Sequence, residues 1–103
     1  MKTASRKQEE KHAARYGGRR TPGSGNGLIK NDVRTVDESW ELKTTSAKQY
    51  ILKSTDLVLA EKYALQDGRD MRFKIDMCGR SWVVMSEEDY EVLKEKATRG
   101  SEA

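Results

Sequence analysis

Met71, Phe73, Ile75 and Met77 alternate with Arg72, Lys74, Asp76 and Cys78. A two-residue period of this kind belongs to a strand with one face on a core. Gly79-Arg80 supplies a turn into a second strand, residues 81–85. Earlier in the chain, Trp40-Glu41-Leu42-Lys43-Thr44-Thr45 alternates as well. In an extended strand it sends Trp40, Leu42 and Thr44 to one side and Glu41, Lys43 and Thr45 to the other. The pattern predicts strands over 28–36 and 39–45, joined as a hairpin that turns at Asp37-Glu38. Residues 46–53 read as extended or irregular.

Three stretches carry helical spacing instead. Residues 5–16 form a short helix that stops at Gly17-Gly18, with Glu9, Ala13 and Tyr16 on one face. A second helix begins near Ser54 or Thr55, gains from Asp56 in its first turn, and ends at Gly68. Leu57, Val58, Ala60, Ala64 and Leu65 make it broadly apolar, as suits a buried or interfacial helix. Glu61 lies inside that arc and calls for a partner charge such as an arginine. Ser86 caps a third helix whose first turn holds Glu87, Glu88 and Asp89, with Tyr90, Leu93 and Ala97 as its buried stripe. The order helix, two strands, helix, two strands, helix predicts an α/β domain around a central four-stranded sheet.

A chain of 103 residues with 35% hydrophobic content supports one domain with a modest core. The ends, 1–4 and 99–103, offer no periodic apolar pattern and read as flexible tails. No apolar run approaches the roughly 20 residues needed to cross a bilayer, and nothing resembles a signal peptide. Membrane partners are therefore not expected. Cys78 is the only cysteine and His12 the only histidine. That excludes an internal disulfide framework and argues against a structural zinc site. The lone thiol fits a reducing, cytoplasmic setting. The methionine and aromatic positions read as core.

Charge adds a direction. The chain nets +3, but residues 1–36 carry +6 and the remainder −3. A basic N-terminal third attracts polyanions, nucleic acid first among them; a solubilising basic tail is the plainer alternative. Five of the eight glycines, and Pro22, fall between 17 and 27. With Arg19, Arg20 and Ser24 beside them, they suit a loop that approaches phosphate closely. A flexible linker is the other reading.

Candidate chemistry centres on Asp32, nine positions before Glu41, with Lys43 two residues further on. If Asp32 sits on the neighbouring strand, two carboxylates and an ammonium converge. Two carboxylates suit Mg²⁺, a hard cation that prefers oxygen and keeps several waters. The lysine can orient or deprotonate one of those waters beside a phosphodiester. In a chain with 36% charged residues, a surface hairpin with solvated charges gives the same pattern.

The ordered set of motifs resembles the small Holliday-junction resolvases of phages and archaea, a branch of the PD-(D/E)xK nucleases. An N-terminal helix bearing a glutamate precedes Gly17-Gly18. Arg20-Thr21-Pro22-Gly23-Ser24-Gly25 is similar to the family's R-x-P-x-S-G loop. Lys30-Asn31-Asp32-Val33 resembles the phage form K-G-D-[VI], and Glu41-Leu42-Lys43-Thr44-Thr45 the E-x-K-T-T strand. The likeness runs over roughly residues 5–95 and implies a restriction-endonuclease-like fold with a mixed sheet.

It further implies a site that binds Mg²⁺ or Mn²⁺ through Asp32, Glu41, the Leu42 carbonyl and Glu9, with Glu10 competing for the last place. Lys43 then positions water, and Ser24 lies near the scissile phosphate. Arg19, Arg20, Ser24, Lys30, Lys48 and Lys53 are the expected DNA contacts, and a homodimer the expected assembly. Asn31 departs from the family pattern, standing where it has proline or glycine. The expected activity is metal-dependent cleavage of branched DNA, most directly four-way junctions. A nuclease of the same fold acting on duplex or mismatched DNA is the first alternative. A non-catalytic DNA-binding protein is the second.

Overall fold

In the computed structural model, which describes residues 4–20 and 31–102, Glu38–Thr45 and Asp70–Met77 pair as parallel strands along their full length. Parallel neighbours need a long crossover, usually a helix, and Ser54–Gln66 provides it. In chain order the elements are α1 (Ala4–Tyr16), β1 (Arg19–Arg20), β2 (Val33–Arg34), β3 (Glu38–Thr45), α2 (Ser54–Gln66), β4 (Asp70–Met77), β5 (Arg80–Val84) and α3 (Glu87–Glu102). The sheet runs β1-β2-β3-β4-β5. Only the β3–β4 pair is parallel. The mixed α/β architecture expected from the pattern is present. The two-residue β1 adds a fifth strand where a loop was expected.

Two small cores lie on opposite faces. Met71, Phe73 and Ile75 of β4 pack against Ala60 and Ala64 of α2, with Tyr50, Leu57, Met77 and Val84 around them. The two alanines let the helix backbone approach the sheet closely. On the other face Val33, Trp40 and Leu42 meet Ala13 of α1. The buried side of α1 is Gln8 and His12, one helical turn apart, rather than the expected Glu9–Ala13–Tyr16 face. Those two polar side chains face the sheet because its α1 side presents hydrogen-bonding partners as well as apolar ones.

β4 shows why. It reads as half-buried, yet Arg72 and Lys74 are buried along with Met71, Phe73 and Ile75. A central strand covered on both sides must pair its polar residues internally. Arg72 Nε meets Glu38 Oε2 at 3.0 Å, and Arg72 Nη1 lies 3.7 Å from Asp89 Oδ2. Lys74 Nζ lies 3.0 Å from His12 Nδ1. The His12 ring packs against both Tyr16 and Trp40, with centroids 4.5 and 4.2 Å away. Burial, reinforced by the Lys74 charge, pushes His12 down to about 4, so near neutral pH it accepts from the lysine. Burial also lowers the Lys74 pKa.

Other boundaries moved for local reasons. The β4–β5 turn is Cys78-Gly79, because both residues take positive φ (53° and 72°), as a two-residue turn with the twist of its strands requires. The β2–β3 hairpin closes through Thr35, whose N–H donates to the Glu38 carbonyl at 2.8 Å. Ser86 caps α3 as expected, its Oγ accepting from the Asp89 N–H at 3.1 Å. Beyond that first turn α3 leaves the sheet. Tyr90, Leu93 and Ala97 are exposed rather than buried, because among the described residues no strand or other helix covers that side of α3. Of the expected tails, 1–4 and 99–103, Ala4 begins α1 and α3 runs to Glu102; residues 1–3 and 103 lie outside the described residues. α2 buries only Ala60 and Ala64 and turns Val58 and Leu65, 65% and 67% exposed, outward.

Gly18 is the tightest backbone approach. Its N–H donates to the Ala13 carbonyl at 2.9 Å, closing α1. A β-carbon there would lie 2.9 Å from Val33 Cγ1 and 3.0 Å from the Arg34 carbonyl oxygen. Gly18→Ala should therefore force β1 away from β2 and destabilise the protein by about 1–3 kcal/mol. Urea unfolding measures this, and an unchanged midpoint would contradict the packing of β1 on β2.

Candidate active site

Val33 stands opposite Trp40 and Arg34 opposite Ser39 in the β2–β3 ladder. Val33 packs with Trp40 and Leu42 on the α1 face, so Asp32 and Glu41, one step along, project to the other face. The Leu42 N–H donates to Asp32 Oδ2 at 2.9 Å, which fixes the aspartate against β3. The Asp32 and Glu41 carboxyl groups come close enough for a hydrogen bond when one of them is protonated.

The electrostatics follow from that contact. Glu41 is pushed from 4.5 to about 9, first by burial, then by the hydrogen bond to Asp32 and by the Asp32 charge. The Lys43 ammonium and the Leu42 N–H act the other way without cancelling the rise. At neutral pH the pair therefore retains one proton, as two carboxylates in contact must unless a cation replaces it. Lys43 is on the same strand face, two residues from Glu41. Gln8 Nε2 donates to the Lys43 carbonyl at 2.7 Å and to Asp76 Oδ2 at 3.0 Å, tying β3 and β4 to α1.

Asn31 matters more than the sequence indicates. It is fully buried, and its Nδ2 donates to Ser39 Oγ and to the Ala60 carbonyl, both at 2.9 Å. These bonds anchor the residue before Asp32 to β3 and α2 together. No periodicity signals such a role, because an asparagine ahead of a short strand reads as loop.

The structure thus joins Asp32, Glu41 and Lys43. Leu42 reaches Asp32 through its amide N–H. Glu9 is half-buried on α1, which packs on the opposite sheet face, while Glu10 pairs with Arg6 at 3.4 Å. Among the described residues no third histidine, cysteine, aspartate or glutamate completes an ion-holding group with Asp32 and Glu41. Lys48 and Lys53 are exposed along the connection into α2, and Arg19 is exposed on β1. Ser24, Lys30 and the Arg20 side chain lie outside the described residues. Glu61, expected to need an arginine, has no ion pair among the described residues; it is half-buried beside a concavity lined by Leu57, Val58, Met71, Val84 and Met85.

Comparisons with protein-family models, curated proteins and solved structures find no match. The assignment rests on the chemistry of the site. Two touching carboxylates that keep a proton because of mutual repulsion and burial offer the all-oxygen donor set that Mg²⁺ or Mn²⁺ prefers. The residues fit such an ion, with water, phosphate or backbone oxygen filling its other positions.

A pH test isolates the pair. Glu41 has a folded pKa above its unfolded one, so its contribution to stability is complete below pH 4.5 and is lost as pH rises toward about 9. Glu41→Gln removes that loss. In EDTA, its stability relative to wild type should rise steadily from mildly acid to alkaline pH, read by urea unfolding at each pH. Parallel curves would show that Glu41 titrates normally.

Proposed function

We propose that this chain is a divalent-metal-dependent endonuclease that cuts branched DNA, with the four-way junction as its main substrate. The observation that carries the reading is the Asp32–Glu41 contact, with Lys43 beside it on one strand face. Asp32 and Glu41 would hold the ion, in place of the proton that Glu41 otherwise keeps. A bound Mg²⁺ or Mn²⁺ supplies charge neutralisation at the phosphate and a more acidic attacking water. Lys43 orients water toward phosphorus and shares the charge that develops, leaving 5′-phosphate ends. The short bond from Leu42 N–H keeps Asp32 in place, and Asn31 holds the backbone that presents it.

Junction selectivity is supported by the ordered motifs around the site and by the basic N-terminal third. Phosphate contacts from Arg19, Arg20, Lys30, Lys48 and Lys53 position DNA without reading its sequence. Resolving a junction takes two symmetric cuts, whereas one chain carries one such site. A two-fold homodimer meets that requirement. The outward Val58, Leu59 and Leu65 of α2 supply apolar surface for it. Among the described residues no helix is long and apolar enough to cross a membrane.

The test compares cleavage of a four-way junction with linear duplex of matching sequence, in Mg²⁺ and in EDTA. Wild type should cut the junction only with metal. Asp32→Asn should abolish cutting while preserving or tightening binding, since it removes negative charge facing phosphate. Lys43→Ala should lower the rate by about 10²–10⁴-fold. Equal cutting of both substrates would indicate a general duplex nuclease. No metal-dependent cutting of either would indicate a binding module. Full activity in Asp32→Asn would remove the mechanism, and a strict monomer by sedimentation, with and without junction, would remove resolution by paired cuts.

A further inference from the structure

Arg19 of β1 stands directly opposite Arg34 of β2 in the antiparallel ladder. Like charges in that relation are destabilising, so the arrangement needs an explanation. Arg69, at the entry to β4, joins them. The three arginines, with Gly17, Thr35 and Val36, line a concavity of about 460 Å³ that has no acidic side chain in its lining. Arg34 and Arg69 share a counter-charge, Asp67 at the end of α2. Its Oδ1 lies 3.6 Å from Arg34 Nη1 and its Oδ2 2.7 Å from Arg69 Nη1. One carboxylate thus serves two guanidiniums, and Arg19 makes no ion pair among the described residues.

One of these arginines is also held in place. Arg69 Nε donates to the Thr35 carbonyl at 2.8 Å, and its Nη1 to the Asp67 carbonyl at 3.1 Å. A guanidinium has five N–H donors in a fixed fork, so Arg69 keeps donors to spare, and Arg34 is engaged only through a long contact. A purely structural role, fastening the end of α2 to the hairpin, accounts for Arg69 and Asp67. It does not account for an exposed Arg19 set against Arg34 without a counter-charge. Convergent, preorganised guanidiniums are the chemistry that recognises phosphate.

The site's position selects which phosphate. Val33 points into the α1-side core, so Asp32 and Arg34 share the opposite face, two residues and about 7 Å apart along the strand. That separation is on the scale of one phosphodiester repeat, whose span along the backbone exceeds the roughly 3.4 Å axial rise per base. We infer that Arg19, Arg34 and Arg69 form a phosphate subsite for a second, uncut phosphate of the DNA strand whose neighbour lies at Asp32–Glu41. Held there, the strand is fixed in register relative to the carboxylate pair. The inference rests on the nucleic-acid reading above but not on cleavage.

The experiment uses the full chain in EDTA and follows binding of a labelled DNA junction by fluorescence anisotropy across a salt series. Arg34→Gln should weaken binding at every salt concentration and reduce the salt slope by about one. Arg19→Gln, at an exposed position that leaves the Asp67 pairs intact, should do the same. Arg34→Lys should restore the slope but not the full affinity, because it returns charge without the fork. Lys96→Gln, on the far exposed helix α3, should match wild type, and urea midpoints establish that each variant is folded. Unchanged affinity and slope in folded Arg34→Gln and Arg19→Gln would overturn the subsite even if wild type cuts junctions. Stabilisation by inorganic phosphate without any effect of the variants on DNA binding would also overturn it, leaving a free-anion site. Conversely, a wild type that binds with the expected variant effects but never cuts with Mg²⁺ would retain the subsite and sink the nuclease.

Discussion

The register between β2 and β3 is the constraint on which the site depends. A slip of one residue would turn Val33 out of the apolar cluster and turn Asp32 away from Glu41. The ladder itself spans only Val33 and Arg34, too short to set the register by backbone bonds alone. Val33 against Trp40 and Leu42 supplies the apolar preference. The Leu42 N–H bond to Asp32 and the Asn31 bonds to Ser39 and Ala60 supply the polar one. Loss of either buried bond from Asn31 would leave its partner unsatisfied, which costs more than the bond's net worth. The groups that fix the hairpin are thus the same ones that aim the carboxylates.

Charge placement in the interior follows a consistent rule: each buried ionisable group is paired or neutral. Arg72 is paired with Glu38 and Asp89. His12 is neutral and accepts from Lys74. Glu41 is neutral through a proton shared with Asp32. The last case differs from the other two because its pairing is between like charges. Lys43 on the same strand face offsets part of that repulsion without cancelling it. The opposed arginines Arg19 and Arg34 present the same kind of conflict with the opposite sign. Local conflicts of this sort concentrate where a ligand resolves them.

The three helices contribute unequally. α2 is fastened by its alanines to β4 and by the Asp67 pairs to the hairpin. α1 is fastened by Gln8, His12 and Ala13. α3 is anchored at its first turn alone, so its Tyr90, Val92 and Leu93 face outward. The carboxylate pair lies on the α2 face of the sheet, opposite the face that α1 covers.

Several features were decided by the sequence alone. The alternation in 71–77 and 40–45 fixed those strands, Ser86 and the acids after it fixed the start of α3, and the spacing of Asp32, Glu41 and Lys43 marked them as one constellation. These are local properties, because a strand's side-chain period and a helix cap depend only on nearby residues. Tertiary structure alone decided that β4 is buried on both faces, so that Arg72 and Lys74 need partners from α1, β3 and α3. It alone turned α1 by its Gln8–His12 side, made Asn31 a structural anchor, and left the apolar side of α3 uncovered. It also set Arg19 against Arg34, since a two-residue strand has no periodicity to read. Periodicity tells which residues share a face; only the arrival of elements distant in sequence tells what that face meets.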